Sequence, residues 1–223
     1  MLALRLWAFS PQPTEANSGR VLRPTDHVQS FRPPPPPMTR IKALTVLQTA
    51  DLVRARHGDE VVERVKAAMN GEARRAIYES ALMPTDWIEL AHAANNLVAF
   101  EQVMGNGDGD EARKLVRALA AEHFTGLYRM LLAISSPRGL IEKSQRIWTR
   151  YYDRGENVPE DVTNHSGTMR TLGCPDLPRH HDWMVLPYTE EILSRAGAKD
   201  VVSEHTQCVA TGADCCISKF RWK

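Results

Sequence analysis

The chain lacks most of the features that identify a function directly. Among its 223 residues there are four cysteines, aromatic residues make up 7%, and the formal net charge is only +1. A net charge this small creates no field that would draw the protein to nucleic acid or to an anionic membrane. Four cysteines, two of them adjacent, do not make an extracellular disulfide framework and are typical of reduced thiols.

Long apolar runs and common catalytic motifs are missing as well. No run approaches the roughly 20 residues that span a bilayer, and Arg5 interrupts a short apolar stretch that makes a poor signal sequence. The sequence contains no Gly-rich phosphate loop, no Gly-x-Ser-x-Gly elbow and no His-Glu-x-x-His pair. We therefore expect a cytoplasmic, non-enzymatic protein with no nucleotide cofactor, no nucleic-acid partner and no membrane span.

Proline is concentrated in one segment, residues 1–38. Eight of the fourteen prolines lie there, at positions 11, 13, 24 and 33–37. This composition favours polyproline II or disorder over a packed core, so we predict a Pro-rich disordered tail followed by a single domain at residues 39–223. The tail is interpreted as a linker, with docking to an SH3-like partner as the alternative. Because Met38 directly follows the proline run, the tail could also be an upstream translation artefact.

The rest of the chain changes its periodicity once. From about Leu44 to Tyr152, apolar residues recur with helical spacing. Short strands are predicted at 156–163 and 168–172, then a helix at 187–196, then two alternating stretches on either side of the turn at 210–214. This order predicts an α+β fold with α/β layers, in which an N-terminal helical region packs on an antiparallel sheet with a C-terminal β-hairpin.

The predicted hairpin carries most of the metal-binding chemistry. Cys208 and Cys216 are eight residues apart across the turn, a separation that lets hairpin partners face each other. His205 and Cys208 are three apart and would point to opposite faces of a regular strand unless a bulge intervenes. With Cys174 added from a loop, these side chains form a mixed set that tetrahedral zinc accepts. The alternative, a sulfur-lined core, stays open because no Cys-x-x-Cys knuckle is present.

The histidines elsewhere give weaker signals. His92 and His123 lie on mostly apolar helices, where core or surface placement is a more economical explanation than ligation of a metal or haem. His180, His181 and Asp182 are interpreted as a polar loop before a helix, with a small acid/base cluster as the alternative.

Several short motifs in the second half of the chain occur in a recognisable order. They are Ile134-x-x-Pro137, Trp148-x-Arg150-Tyr151-Tyr152-Asp153-x-Gly155, Ala196-Gly197-Ala198-Lys199-Asp200-Val201, Glu204-His205-x-x-Cys208-x-x-x-Gly212-x-x-x-Cys216 and Phe220-x-Trp222. From about residue 109 to residue 222 the chain resembles a paralogous family of unknown function found in myxobacteria and relatives. That family is similar to the 4-vinyl reductase and haem-NO-binding-like sensor domains.

This resemblance implies an α/β domain that encloses a hydrophobic pocket for a small molecule. In related phenol-sensing regulators, a hairpin Cys-x7-Cys pair, an acidic residue three before it and an upstream Cys hold structural zinc. The resemblance carries these roles to Cys208, Cys216, His205 and Cys174. The haem interpretation gains little, because no Tyr-x-Ser-x-Arg motif for the propionates is present and His123 has no such partner.

Our leading hypothesis is a non-enzymatic sensory domain that binds a small hydrophobic ligand and transmits a signal through a protein partner or a homodimer. The aromatic residues expected to line its pocket are Phe124, Trp148, Tyr151, Tyr152 and Trp183. The alternative is a scaffolding or protein-interaction domain in which the same aromatic residues only fill a closed core.

Overall fold

Helices occupy most of the first half of the protein, as the periodicity predicts. The computed structural model describes residues 38–123, 135–174 and 181–223. The predicted tail lies outside these ranges except for Met38, and Phe124 and His180 lie outside them too. The helices are α1 (Ala43–His57), α2 (Asp59–Ala68), α3 (Gly71–Arg74), α4 (Leu90–Met104), α5 (Asp110–His123), α6 (Pro137–Glu142), α7 (Ser144–Tyr151) and α8 (Leu186–Arg195). π-helical turns span Arg75–Glu79 and His181–Val185, and a 3-10 turn spans Val209–Thr211.

The second half contributes a four-stranded antiparallel sheet. Its strands are β3 (Glu156–Glu160), β4 (Ser166–Leu172), β5 (Val202–Gln207) and β6 (Cys216–Arg221), in the spatial order β3-β4-β6-β5. The strands β5 and β6 are consecutive in the chain and pair antiparallel, so they form the predicted terminal hairpin. The α+β prediction is therefore confirmed.

Two groups of buried side chains hold these layers together. The larger group joins the helices α1, α2, α4 and α5 to the stacked aromatic residues of α7. The smaller group lies between the sheet and the helices α6 and α8, and its centre is formed by Ile141, Leu193 and Phe220. Since each side chain of this trio is at most 1% exposed, the sheet is sealed on one face by helices.

A short two-stranded sheet was not expected. Strand β1 (Arg40–Lys42) pairs antiparallel with β2 (Trp87–Glu89), although the sequence around Pro84 predicts the start of a helix there. The helix begins at Leu90 instead. Trp87 is held in the strand by the ammonium of Lys42, which lies 3.7 Å from the ring centroid. The pairing joins residues more than forty positions apart, so no local pattern predicts it.

The end of α7 is fastened to β1 by one carboxylate. Asp153 Oδ1 accepts a hydrogen bond from the backbone N of Arg40, and Oδ2 accepts one from Arg40 Nε, both at 2.8 Å. Burial of the carboxyl raises its pKa, but the hydrogen bonds from Arg40 outweigh that effect and hold the pKa below its ordinary value. The carboxylate form is therefore the one that the fold binds.

We expect Asp153→Asn to lower the free energy of unfolding at pH 7 by about 1.5–3 kcal/mol, the usual worth of charge-assisted hydrogen bonds. A depressed pKa stabilises the fold above the ordinary aspartate pKa of about 3.9, and that stabilisation is lost as the pH falls through the lower folded value. Urea unfolding from pH 7 down to pH 3 should therefore show the wild type and the variant converging at acid pH.

The control for this prediction is Asp59→Asn. Asp59 also accepts a 2.8 Å hydrogen bond from an arginine, Arg54, but its side chain is 82% exposed. Exposed pairs contribute at most about 1 kcal/mol, so we expect little change. Equal losses in the two variants would contradict the role assigned to Asp153.

None of the helices within residues 38–123, 135–174 and 181–223 has both the length and the apolar character that a bilayer crossing requires.

Candidate metal centre and ligand cavity

A β-bulge in the terminal hairpin changes the face on which Cys208 lies. His205 pairs with Ser218, whereas Gln207 pairs with Ile217, so β5 contains one residue more than its partner over this stretch. In a regular strand, residues three apart point to opposite faces. The extra residue resets that alternation. Because of the bulge, the side chains of His205 and Cys208 can lie on the same face of the hairpin.

Cys216, the first residue of β6, lies opposite this bulge. Its side chain is 1% exposed, and its Sγ is 3.9 Å from Cys208 Sγ. Zinc–sulfur bonds are about 2.3 Å long, so two sulfurs on a tetrahedral zinc lie about 3.8 Å apart. The two thiols therefore have the separation that tetrahedral coordination requires. The backbone N of Val209 also donates to Cys216 Sγ, at 3.5 Å.

A second histidine reaches the hairpin from the π-helical turn before α8. His181 is fully buried, its Nε2 is 2.6 Å from Ser218 Oγ, and its ring stacks on that of His205 with centroids 4.4 Å apart. His205 Nδ1 in turn lies 2.5 Å from Asp182 Oδ1. Each ring is thus fixed through one nitrogen. The other nitrogens, Nδ1 of His181 and Nε2 of His205, are buried and have no hydrogen-bond partner.

These side chains converge on one point. His181, His205 and Cys216 each offer one ligand atom, and the three atoms lie within 4.8 Å of one another. Cys208 adjoins the group through its contact with Cys216. The result is a set of two imidazoles and two thiols, which we call the His-Cys cluster.

The electrostatics of the cluster favour the thiolate form of one of its two sulfurs, that of Cys216. Burial raises the pKa of Cys216, but the neighbouring imidazoles of His181 and His205 and the backbone N–H of Val209 outweigh it and lower the pKa to about 5. The carboxylate of Asp182 and then the thiol of Cys216 raise the pKa of His205 to about 9. Burial raises the pKa of Cys208. Cys216 is therefore a thiolate at neutral pH, the form that binds metals.

The donor set fits zinc. Two thiolates and two imidazoles form a complete tetrahedral set, and a closed set of four protein ligands is typical of structural zinc. The two buried ring nitrogens without partners are the atoms that a metal would satisfy. Asp182 would act from outside, since a carboxylate on the far nitrogen of a ligating histidine fixes the ring and its tautomer.

The structure does not bring Cys174 to the His-Cys cluster. Its thiol lies 3.6 Å from the carbonyl oxygen of Arg154 and packs against Gly155. Gly155 has φ +80°, and a Cβ there would overlap the sulfur of Cys174. Cys174 thus fills space in a tight turn beside Trp148, which donates to the same carbonyl of Arg154 at 2.9 Å. Of the four ligands expected from the sequence, the cluster contains His205, Cys208 and Cys216, and it adds His181.

Between the helices and the four-stranded sheet lies an apolar cavity of about 90 Å³. Trp148 and Tyr152 form part of its wall and stack with ring centroids 3.8 Å apart and an interplanar angle of 13°. Other walls come from α6, from β4 and from α8, which contribute Ile141, Met169 and Ile192. The cavity thus lies where the helical layer meets the sheet.

Three of the five aromatic residues expected around the pocket line this cavity: Trp148, Tyr151 and Tyr152. Trp183 does not. It packs over Gly109, where a Cβ would overlap the indole ring, and it borders a separate surface groove. Phe124 lies outside the described residues. The i, i+4 spacing of Trp148 and Tyr152 is what predicts their common face.

The cavity and the His-Cys cluster are joined by the turn His181–Val185. Its first residue, His181, belongs to the cluster, Asp182 contacts His205, and Met184 and Val185 line the cavity. Thr189 of α8, which also lines the cavity, donates to the carbonyl oxygen of Val185 at 2.8 Å. The two sites are therefore connected along the chain by one turn of five residues.

The sequence patterns did not predict His181 as a ligand or Asp182 as the hydrogen-bond partner of His205. The only signal is the run His180-His181-Asp182, which is interpreted as a polar loop before a helix, with a small acid/base cluster as the alternative. Nothing in the run indicates that it meets a hairpin more than twenty residues away, because that contact depends on how α8 packs on the sheet.

Comparison with known proteins gives structural neighbours alone. No family model matches the chain, and no curated protein matches it. The solved structures of H-NOX proteins do match. The unliganded Fe(II) H-NOX protein from K. algicida has a TM-score of 0.61 at 13% identity, covering 82% of this chain and 96% of that one.

The fold is that of the H-NOX proteins. The S. oneidensis H-NOX protein in its Fe(II)NO state has a TM-score of 0.62 at 13% identity, covering 82% of this chain and 99% of its own. An oxygen-binding H-NOX domain related to soluble guanylate cyclases has a TM-score of 0.57 at 12% identity, covering 82% and 95%. The TM-scores establish the shared fold, and because the identities are this low, the ligand has to be argued from the site.

Proposed function

We propose that this protein is a non-enzymatic sensory domain that binds a small, mostly apolar molecule. The observation that carries the proposal is the apolar cavity between the helical layer and the sheet, walled by the stacked pair Trp148 and Tyr152. Enclosed apolar cavities with a few polar groups are the usual form of small-molecule sites. The H-NOX fold supports it, since the solved relatives are described in unliganded, NO-bound and oxygen-bound states.

The chain resembles haem-NO-binding-like sensor domains, and the name of those domains implies haem. Haem does not fit the part of the cavity that the structure describes. His123 does present a buried ring nitrogen without a partner. However, no Lys or Arg among the described lining residues could neutralise propionates. The volume of about 90 Å³ is also well below the roughly 300–1,000 Å³ of sites for larger ligands. We therefore propose a smaller ligand that binds without haem.

We propose that the His-Cys cluster holds a structural zinc ion. The four ligands would be His181, His205, Cys208 and Cys216, with Asp182 supporting His205. Bound zinc would fasten the hairpin to the turn before α8 and so stabilise one wall of the cavity. A ligand that displaces Met184 and Val185 would then also displace the hairpin, through the zinc ion.

The wider biology is proposed on the sequence motifs. We propose that the chain belongs with the myxobacterial branch of 4-vinyl reductase-like domains and acts in the cytoplasm. Its signal would pass to a protein partner or to a second copy of the chain, and nucleic acid would not be a partner. The tail before Met38 would be a linker to the single domain of residues 39–223.

Urea unfolding in the presence of 1-chloropropane and other apolar compounds smaller than benzene tests ligand binding. A ligand at a hundred times its Kd stabilises the folded protein by about 2.7 kcal/mol. We expect such stabilisation for the wild type and its loss in Ile147→Phe. Ile147 lines the cavity and is only half-buried, so the added ring fills the space with little strain.

The control is Thr149→Phe, on the same helix but on its exposed face and outside the cavity lining. It should keep the stabilisation by 1-chloropropane. If no compound stabilises the wild type, the cavity is a closed core, and the scaffolding alternative becomes the better explanation.

A further inference from the structure

Three residues that line the cavity each have a buried polar atom without a hydrogen-bond partner. The atoms are Thr45 Oγ1, His123 Nε2 and Asn157 Oδ1. Thr45 is 5% exposed and Asn157 is 2% exposed. Nearly all buried polar groups in native proteins are satisfied, so each orphan atom calls for an explanation. Three of them around one apolar space indicate a missing polar partner inside that space.

In Asn157 and His123, the other polar atom of the side chain already has a partner, which leaves one atom of each without a hydrogen bond. Asn157 Nδ2 donates to Thr171 Oγ1 at 3.3 Å, which leaves Oδ1 as the unpaired atom. His123 Nδ1 is 3.0 Å from the hydroxyl of Tyr188. Thr45 uses its carbonyl oxygen to accept from Thr49 Oγ1 at 2.7 Å, while its own hydroxyl has no partner. The three atoms come from β3, α5 and α1, so they approach from different walls.

The cavity is otherwise uncharged. No Asp, Glu, Lys or Arg is found among the described residues that line it. Burial lowers the pKa of His123, so its imidazole is neutral at pH 7, and burial raises the pKa of Tyr152 and of Tyr188, so both phenols stay protonated. A charged ligand would lie here without a counter-charge, which is costly in an apolar site.

The chemistry of the orphan atoms restricts the ligand further. An amide oxygen only accepts hydrogen bonds, so Asn157 Oδ1 requires a donor on the ligand. A hydroxyl donates through its hydrogen and accepts through its oxygen, so one such group can also serve Thr45 and His123. The space is smaller than the ~150 Å³ cavity that holds benzene, which favours one compact polar group over an extended one.

We propose that the ligand is an uncharged small molecule whose apolar body carries a hydrogen-bond donor, and that Thr45 and Asn157 select it through that donor. This inference rests on the ligand-binding function proposed above and names the chemistry that the site would recognise. Thr45 and Asn157 would be specificity-determining residues, while the Trp148 and Tyr152 pair would accept the apolar body.

The test compares two isomers, 1-butanol and methyl propyl ether, by NMR titration of the ¹⁵N-labelled full chain. They have the same atoms, but only the alcohol can donate. We expect the wild type to bind the alcohol at least roughly tenfold more tightly, the value of one good hydrogen bond in a buried site. Thr45→Val and Asn157→Leu should each reduce this preference to about twofold or less while the amide spectrum remains that of a folded protein.

The matched control is Thr49→Val, one helical turn from Thr45. Thr49 is equally buried, but it does not line the cavity. This variant should lose stability and keep the preference for the alcohol.

Equal affinity for the two isomers would overturn the inference, because the orphan atoms would then not select the ligand; stabilisation by 1-chloropropane would still support ligand binding. If the wild type binds neither isomer and is not stabilised by 1-chloropropane, the inference and the proposed function both fail.

Discussion

Cys216→Ser is expected to abolish stoichiometric zinc binding and to make the protein much easier to unfold. The Sγ of Cys216 lies within 4.8 Å of a ligand nitrogen on both rings and 3.9 Å from the second thiol, and its pKa of about 5 makes it the thiolate of the His-Cys cluster. A metal present at a thousand times its Kd contributes about 4.1 kcal/mol to the free energy of unfolding. The loss of zinc should remove a stabilisation of this order. Elemental analysis and urea unfolding of the purified protein would measure both effects.

The matched control is Cys215→Ser. Cys215 precedes Cys216 in the chain and is also buried, but adjacent strand residues point to opposite faces and it is not part of the cluster. This variant should keep one equivalent of zinc. A chelator should lower the stability of Cys215→Ser and of the wild type alike, and should leave Cys216→Ser unchanged.

The identity of the fourth ligand can be decided by two further variants. We expect His181→Ala to lose zinc and Cys174→Ala to keep it, because the thiol of Cys174 contacts the Arg154 carbonyl oxygen and not the cluster. The opposite result would mean that Cys174, as expected from the sequence, is the fourth ligand and that His181 is only a buried core residue.

The hairpin shows how far sequence patterns reach in this protein. Alternation on either side of a turn predicts both strands. The eight-residue spacing predicts that Cys208 and Cys216 face each other, and their sulfur atoms do lie 3.9 Å apart. The sequence shows that His205 and Cys208 can share a face only if a bulge lies between them, but it does not predict the bulge itself. An extra residue in one strand depends on the register of the partner strand. Local patterns therefore predict pairs within the hairpin more readily than its exact register.

Contacts between distant segments account for what the sequence did not predict. Trp87 lies in a strand because β1, more than forty residues earlier, supplies the partner and the ammonium of Lys42. His181 reaches the cluster because α8 packs on the sheet and carries the preceding turn with it. The orphan atoms of the cavity come from three different elements. Each of these depends on tertiary packing, which overrides local propensity.

Trp148→Ala is expected to lower the free energy of unfolding by about 3–5 kcal/mol, the usual cost of removing a large buried aromatic side chain. Trp148 is 4% exposed, stacks on Tyr152, and donates from Nε1 to the carbonyl oxygen of Arg154. The variant should also gain a binding site for indole, because the space left by the side chain joins the existing cavity. Urea unfolding with and without indole would measure both effects, with a recovery of about 2.7 kcal/mol at a hundred times the Kd.

Trp222→Ala provides the comparison that ties this rescue to the cavity. Trp222 is also buried and also donates its indole N–H to a carbonyl oxygen, that of Asn164, at 2.8 Å, but it does not line the cavity. It should be destabilised by a similar amount, and its recovery by indole should be unaffected by a ligand that stabilises the wild type. In Trp148→Ala, such a ligand should compete with indole, since both would occupy one continuous space. Equal competition in the two variants, or no competition in Trp148→Ala, would separate the stacked aromatic pair from ligand binding and leave it a purely structural role.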